Sequence, residues 1–294
     1  MLVCFLFSIS FMVTFLNNGL AKQFQRGFTN DVYHFISYNL INACLASVAF
    51  YIAGGFNFEM NMITFWFSMA FAVAVIMTLV FGVLALSRIS VSVNAITTTA
   101  GSTLVPSLVG LFFLKEKASV GFFLSIIFMM TAIFLPYRKI YSVGKKHSIP
   151  ICFSLFLISG ANVIIQKYYT LTPGVCDSCS FFLMTNLIIA AICILVITAL
   201  SVFRVKKASE IVFILSLRQM GNIFARTLLS NIGSVISITL LALMEVSVYS
   251  VIYSSLGIIS GFILSKFFFK ENMPRENFAA VLLAICAIVF NSLF

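Results

Sequence analysis

Residues 84–91, LALSRISV, return at residues 241–248 as LALMEVSV. Residues 111–117, LFFLKEK, return at 266–272 as KFFFKEN, and FLSIIFMMTAIF from Phe123 returns as FAAVLLAICAIV from Phe278. The offset barely drifts, from 157 residues between Leu84 and Leu241 to 155 between Glu116 and Glu271. Upstream, FISYNLINA at 35–43 resembles FLMTNLIIA at 182–190, with Asn39 falling on Asn186. Before each of these lies an apolar run closed by a polar or small residue and a lysine, Ala21-Lys22 and Gln166-Lys167. Landmarks repeated in one order mark an internal duplication, and a repeat decides the fold before any single segment does. The halves are 1–141 and 142–294.

Composition names the solvent. The chain of 294 residues is 62% hydrophobic and 9% charged, with mean hydropathy +1.13. A soluble domain carries roughly 25% charged residues, so this chain cannot cover a water-facing surface. Its 34 phenylalanines suit helix faces turned to lipid. The net charge of +10 does not point to nucleic acid, because the basic residues sit in short clusters between apolar runs, as cytoplasmic loops do. The first apolar run lacks a leading basic residue and a small-residue cleavage site, so it reads as a span and not as a signal peptide. Most of the seven cysteines lie inside apolar runs, where Cys behaves as a small hydrophobe. Cys176 and Cys179 form a CxxC in a loop. They read either as two plain thiols or, on an oxidising face, as a disulfide. A structural zinc site needs about four ligands, and no second CxxC or His pair exists. No metal or other cofactor is expected.

A span needs about 20 mostly apolar residues. Ten such runs are present, near 2–20, 32–53, 62–86, 90–114, 118–136, 149–169, 179–203, 227–244, 246–269 and 277–293. The segment 209–222 reads as an interfacial amphipathic helix or as an extension of helix 8. The expected fold is therefore all-α and integral to the membrane, with ten transmembrane helices as two five-helix repeats. Five is odd, so the second repeat enters the bilayer inverted, an arrangement common in secondary transporters. Alternate loops collect fifteen of the eighteen lysines and arginines on one side. The positive-inside rule puts that side in the cytoplasm and both termini outside.

These residues resemble the drug/metabolite transporter superfamily, and within it the EamA-like ten-helix carriers, over essentially the whole chain. The most specific points are Pro106 in mid-helix 4, Lys115-Glu116-Lys117 closing that helix, and the matching Lys270-Glu271 after helix 9. The repeat counterpart of Pro106 is Gly261. Both weaken a helix, Pro by removing a donor and Gly by entropy. Members of the family are usually drawn with cytoplasmic termini, and the charge count here argues the opposite. The resemblance implies a small-molecule substrate in a central cavity lined by helices 1, 3, 4, 6, 8 and 9.

Polar residues concentrate on those helices. Asn17, Asn94, Thr98, Ser102, Asn162, Asn231, Tyr249 and Tyr253 are the candidate substrate-binding residues, and Pro106 and Gly261 the candidate gates. Buried polar side chains in a membrane face protein or water, although Ser and Thr also serve helix packing through short hydrogen bonds. Lys22 and Lys167, at matched helix ends, would meet an anionic substrate group or snorkel to the interface. All eight acids fall at or near helix ends. The small multidrug relatives carry a membrane-embedded Glu in their first helix, and helix 1 here has none. The expectation is therefore a carrier of a neutral or zwitterionic solute such as an amino acid, an exporter or exchanger in the plasma membrane, without enzymatic activity. The alternatives are a non-transporting scaffold subunit and a membrane enzyme on lipid-linked substrates. The second would want clustered Asp, Glu or His at one interface. Helices 5 and 10, nearly bare of polar groups, suit peripheral or homodimer-facing positions.

Overall fold

The computed structural model describes residues 2–26, 32–86, 91–115, 120–141, 149–202 and 217–268, together with 278–279, 281–283, 285–287 and 290. Every regular element among them is helical: α1 (Leu2–Arg26), α2 (Val32–Ala53), α3 (Met62–Leu86), α4 (Val91–Phe112), α5 (Val120–Tyr141), α6 (Ile149–Leu171), α7 (Ser178–Val202), α8 (Leu217–Leu243) and α9 (Val246–Ile263). One π-helical turn, Leu264–Phe268, continues α9. Seven helices among the described residues, α1, α2, α3, α6, α7, α8 and α9, are long and apolar enough to cross a membrane. The chain is thus a multi-pass, all-α membrane protein.

The distribution of side chains agrees with a lipid solvent. Ser37, Ser68, Thr103, Ser107, Ser125, Ser255 and Ser260 are fully buried, whereas Phe5, Trp66, Phe112, Val120 and Leu195 are more than 60% exposed. Helices in lipid gain nothing by hiding Leu from other apolar groups, so their contacts select small residues and short hydrogen bonds.

The chain forms two compact units, each drawing on both sequence halves. The first holds Met1–Phe11, Ala74–Leu171 and Thr239–Phe294, and the second Met12–Val73 and Thr172–Ile238. In the first unit α4 lies between α6 and α9. Its approach to α6 is backbone to backbone. A Cβ built on Gly101 would sit 1.9 Å from the Phe156 carbonyl oxygen, and one on Gly160 would sit 2.4 Å from Val105 Cβ. The contact with α9 is a seam of hydroxyls: Ser107 Oγ lies 2.9 Å from Ser250 Oγ, and Ser102 Oγ 3.4 Å from Ser254 Oγ. As the number rises on α4 it falls on α9, so the two helices run antiparallel.

In the second unit α2 packs on α7. The end of α2 meets the start of α7, with Phe50 stacked on Phe182 at 5.1 Å. Gly54 and Gly55 close α2. Gly55 has φ 68°, where a Cβ is costly, and the Phe56 N–H turns back to the Tyr51 carbonyl at 3.0 Å. Asn61 and Asp177 cap the starts of α3 and α7: Thr64 N–H donates to Asn61 Oδ1 at 2.7 Å and Cys179 N–H to Asp177 Oδ2 at 2.9 Å. Each side-chain oxygen satisfies an N–H that has no partner within its helix. Neither Cys176 nor Cys179 is in a disulfide.

The start of helix 8 follows one of the two sequence alternatives. The apolar span is expected from 227, and α8 begins at Leu217, so 217–222 are the extension of helix 8, while 209–216 lie outside the described residues. Arg226, between the two expected segments, is therefore a helical residue and not a loop residue. Ile223 explains the extension, since it is fully buried among Tyr38, Ile41 and Leu45 of α2. That packing holds the turns before Thr227 helical despite their charges.

Candidate functional site

The candidate residues divide between the two units. Thr98, Ser102, Asn162, Tyr249 and Tyr253 lie in the first, with Pro106 and Gly261, whereas Asn17 and Asn231 lie in the second. Asn94 belongs to α4, but its side chain lies outside the described residues.

In the first unit, Ser102 is held in the α4–α9 seam. Its hydroxyl donates to the Thr99 carbonyl at 3.0 Å and lies near Ser254. Ser107 and Ser250, which the candidate set did not include, are the tightest pair of the seam. Thr98 is half-buried one turn before Ser102. Tyr249 is buried and stacks on Tyr253 at 5.3 Å and on Phe7 at 6.5 Å, so the two tyrosines form one aromatic ladder along α9. Pro106 is buried within α4. Having no N–H, it deprives the Ser102 carbonyl of its usual donor. Around Gly261 a Cβ would meet nothing within 4 Å, and the π turn starts three residues later. Such turns interrupt regular helices and occur often at functional sites.

Asn162 has spare bonding capacity. Its Nδ2 donates to Thr78 Oγ1 at 2.8 Å, and Thr78 in turn donates to the Ala74 carbonyl at 2.8 Å. Asn162 Oδ1 is buried and has no partner among the described residues. An unpaired buried acceptor costs about 1–3 kcal/mol, a cost that an N–H or ammonium donor on a ligand would remove.

Lys167 is tied into the protein and does not snorkel. It is 8% exposed, and its ammonium donates to the Leu241 and Met244 carbonyls, both at 2.9 Å. These oxygens belong to the end of α8, where in-helix donors run out and a cation is favoured by the helix dipole. The lysine is therefore a cap on the α8–α9 turn. Its counterpart Lys22 has a side chain outside the described residues.

In the second unit, Asn17 Nδ2 donates to Ser230 Oγ at 3.1 Å, and Asn17 Oδ1 accepts from Arg226 Nε at 3.3 Å. The Arg226 guanidinium also stands over the Tyr38 ring, 5.5 Å from its centroid. Asn231 Nδ2 is buried without a partner among the described residues. Sequence reasoning missed Arg226 because it was assigned to a loop. A signal was present: Arg218, Asn222, Arg226, Ser230 and Ser234 recur every four residues, a polar row that slants around the helix with each neighbouring pair on a shared face. Among the described residues no group of three His, Cys, Asp or Glu could hold a metal ion.

No family model matches the chain, and no curated protein matches it. Among solved structures, the chain is similar to one described as "Crystal structure of protein", at a TM-score of 0.65 over 97% of this chain and 96% of that one, with 11% sequence identity. A likeness at that identity shows a shared fold along nearly the whole chain.

Proposed function

We propose that this protein is a secondary transporter of the EamA-like, drug/metabolite type. It would export or exchange a small neutral or zwitterionic solute such as an amino acid across the plasma membrane, by alternating access of two inverted five-helix repeats. The observation that carries this reading is the pairing of counterparts. In the sequence duplication α4 matches α9 and α2 matches α7. In space each of these helices packs on its own match, and α4 and α9 run antiparallel. Parallel repeats would align the matched helices, whereas a twofold axis in the membrane plane reverses them, as in the inverted repeats of many transporters. The buried hydroxyls and the acceptor left open at Asn162 supply the polar interior that such a carrier needs.

Reconstitution in liposomes tests the activity. Purified protein should give counterflow of at least one member of an amino-acid pool. Failure with every pooled metabolite would favour a non-transporting partner subunit. The gates have a sharper test. Pro106 lies in the helix that forms the hydroxyl seam, and Gly261 just before the π turn. Pro106→Ala should restore a backbone hydrogen bond and stiffen α4, slowing exchange roughly fivefold, or about 1 kcal/mol in the barrier. Gly261→Leu enters open space, so it tests bending and not packing. Wild-type flux in both variants would reduce these residues to packing features.

The charge asymmetry gives an expected orientation. In a background lacking native cysteines, Phe294→Cys should react with an impermeant maleimide from outside and Val143→Cys only from the cytoplasm. Labelling of Phe294→Cys from the cytoplasmic side alone would reverse the topology.

A further inference from the structure

Arg226 is the ionisable residue that the transport reading leaves without a task. It stands seven residues into the apolar stretch Gln219–Leu243, roughly 10 Å along the helix at 1.5 Å per residue. A cation at that depth is expensive and marks a functional position unless something neutralises it. Among the described residues no carboxylate lies within ion-pair distance. Glu59 and Asp177, the described acids of the same unit, lie beyond the far end of α2 from Tyr38. Snorkelling toward water would be the bland account, but the side chain is tied down. One edge of the guanidinium is fixed by the Nε–H donated to Asn17 Oδ1, and one face by the Tyr38 ring. The edge that remains carries the terminal N–H groups, which match the two oxygens of a carboxylate.

A second observation extends the ligand. Asn222 lies four residues before Arg226, on the same face of α8. Its Nδ2 donates to the Leu20 carbonyl at 3.4 Å, which fixes the amide, while Oδ1 is buried and has no partner among the described residues. Side chains four apart on a helix stand about 5–6 Å from each other at Cβ. A carboxylate donor set and a lone acceptor at that separation suit a molecule bearing a carboxylate beside an ammonium. We propose that Arg226, framed by Asn17 and Tyr38, binds the carboxylate of a small α-amino acid whose ammonium donates to Asn222 Oδ1. The inference rests on the transport reading only for the ligand's onward passage, and the binding site stands or falls separately.

Three probes without side chains isolate the two contacts: glycine, acetate and glycinamide, titrated into detergent-purified protein and followed by thermal stabilisation. Glycine should bind more tightly than acetate, and glycinamide should give no saturable shift. Arg226→Met should weaken glycine and acetate at least about tenfold, since a charged hydrogen bond is lost. Arg226→Lys, which keeps the charge without the fork, should retain weakened binding and serve as the folded control. Asn222→Leu should reduce glycine to the level of acetate and leave acetate unchanged. The proposal is overturned if glycinamide stabilises the wild type as well as acetate does. It is also overturned if neither glycine nor acetate binds, or if Arg226→Met binds both as the wild type does. Counterflow separates this from the transport reading. Arg226-dependent binding without flux in liposomes would remove the carrier and keep the site. Flux untouched by Arg226→Met would remove the site and keep the carrier.

Discussion

Gly101→Val should separate α4 from α6 and cost more than about 3 kcal/mol, beyond the usual range for an overpacked core. The reason is where the new atoms would go. The first carbon alone would lie 1.9 Å from the Phe156 carbonyl oxygen and 2.3 Å from Ser159 Oγ. The oxygen belongs to the backbone of α6 and cannot rotate away, so relief requires the whole helix to move. Gly101→Ala should be the milder member of the pair, and Gly160→Ala should repeat the effect through Val105. Gly82→Ala and Gly257→Ala are the controls, because a Cβ at either position meets nothing within 4 Å. Thermal unfolding in detergent should show losses only at 101 and 160. Equal losses at all four positions would mean that helix propensity dominates and the close approach does not.

Lys167→Met should destabilise the α8–α9 turn by about 2–3 kcal/mol, the loss of hydrogen bonds from a charged donor to one buried and one half-buried carbonyl. The substitution keeps the length and apolarity of the stem, so the effect isolates the ammonium. Lys167→Glu should be worse, since it sets a negative charge against the negative end of the α8 dipole. Limited proteolysis near Met244 and Glu245 should report the loosened turn directly. Unchanged cleavage in Lys167→Met would show that the two-residue connection holds without its cap.

Much of the architecture was legible because lipid simplifies it. Runs near 20 apolar residues announced the helices, and repeated landmarks such as LALSRISV and LALMEVSV paired α3–α4 with α8–α9. The boundary at 223–226 shifted where tertiary packing overrode local charge: Ile223, buried against α2, carries α8 across Arg226 into the extension that the sequence offered for 209–222. The candidate residues were legible as types and not as partners. Asn17 was chosen for its polarity; the four-residue spacing that includes Arg226 was visible in the sequence, but that Arg226 neighbours Asn17 shows only in the packing of α8 on α1 and α2. Ser107 and Ser250 were passed over because a serine in a helix gives no sign of which face it occupies. Lys167 was read as a surface or substrate contact because nothing in its own segment shows that two carbonyls 74 and 77 residues away will surround it.

The inverted burial pattern has an evolutionary corollary. Where the outer surface need only be oily, Phe, Leu, Ile, Met and Val are interchangeable there, and drift among them leaves fitness untouched. The positions under strict stereochemical selection are few and small: a glycine where two backbones touch, a serine pair in a seam, a lysine under a turn. A chain built on this plan can exchange nearly every letter while its helices keep their stations, so a shared fold is compatible with 11% identity.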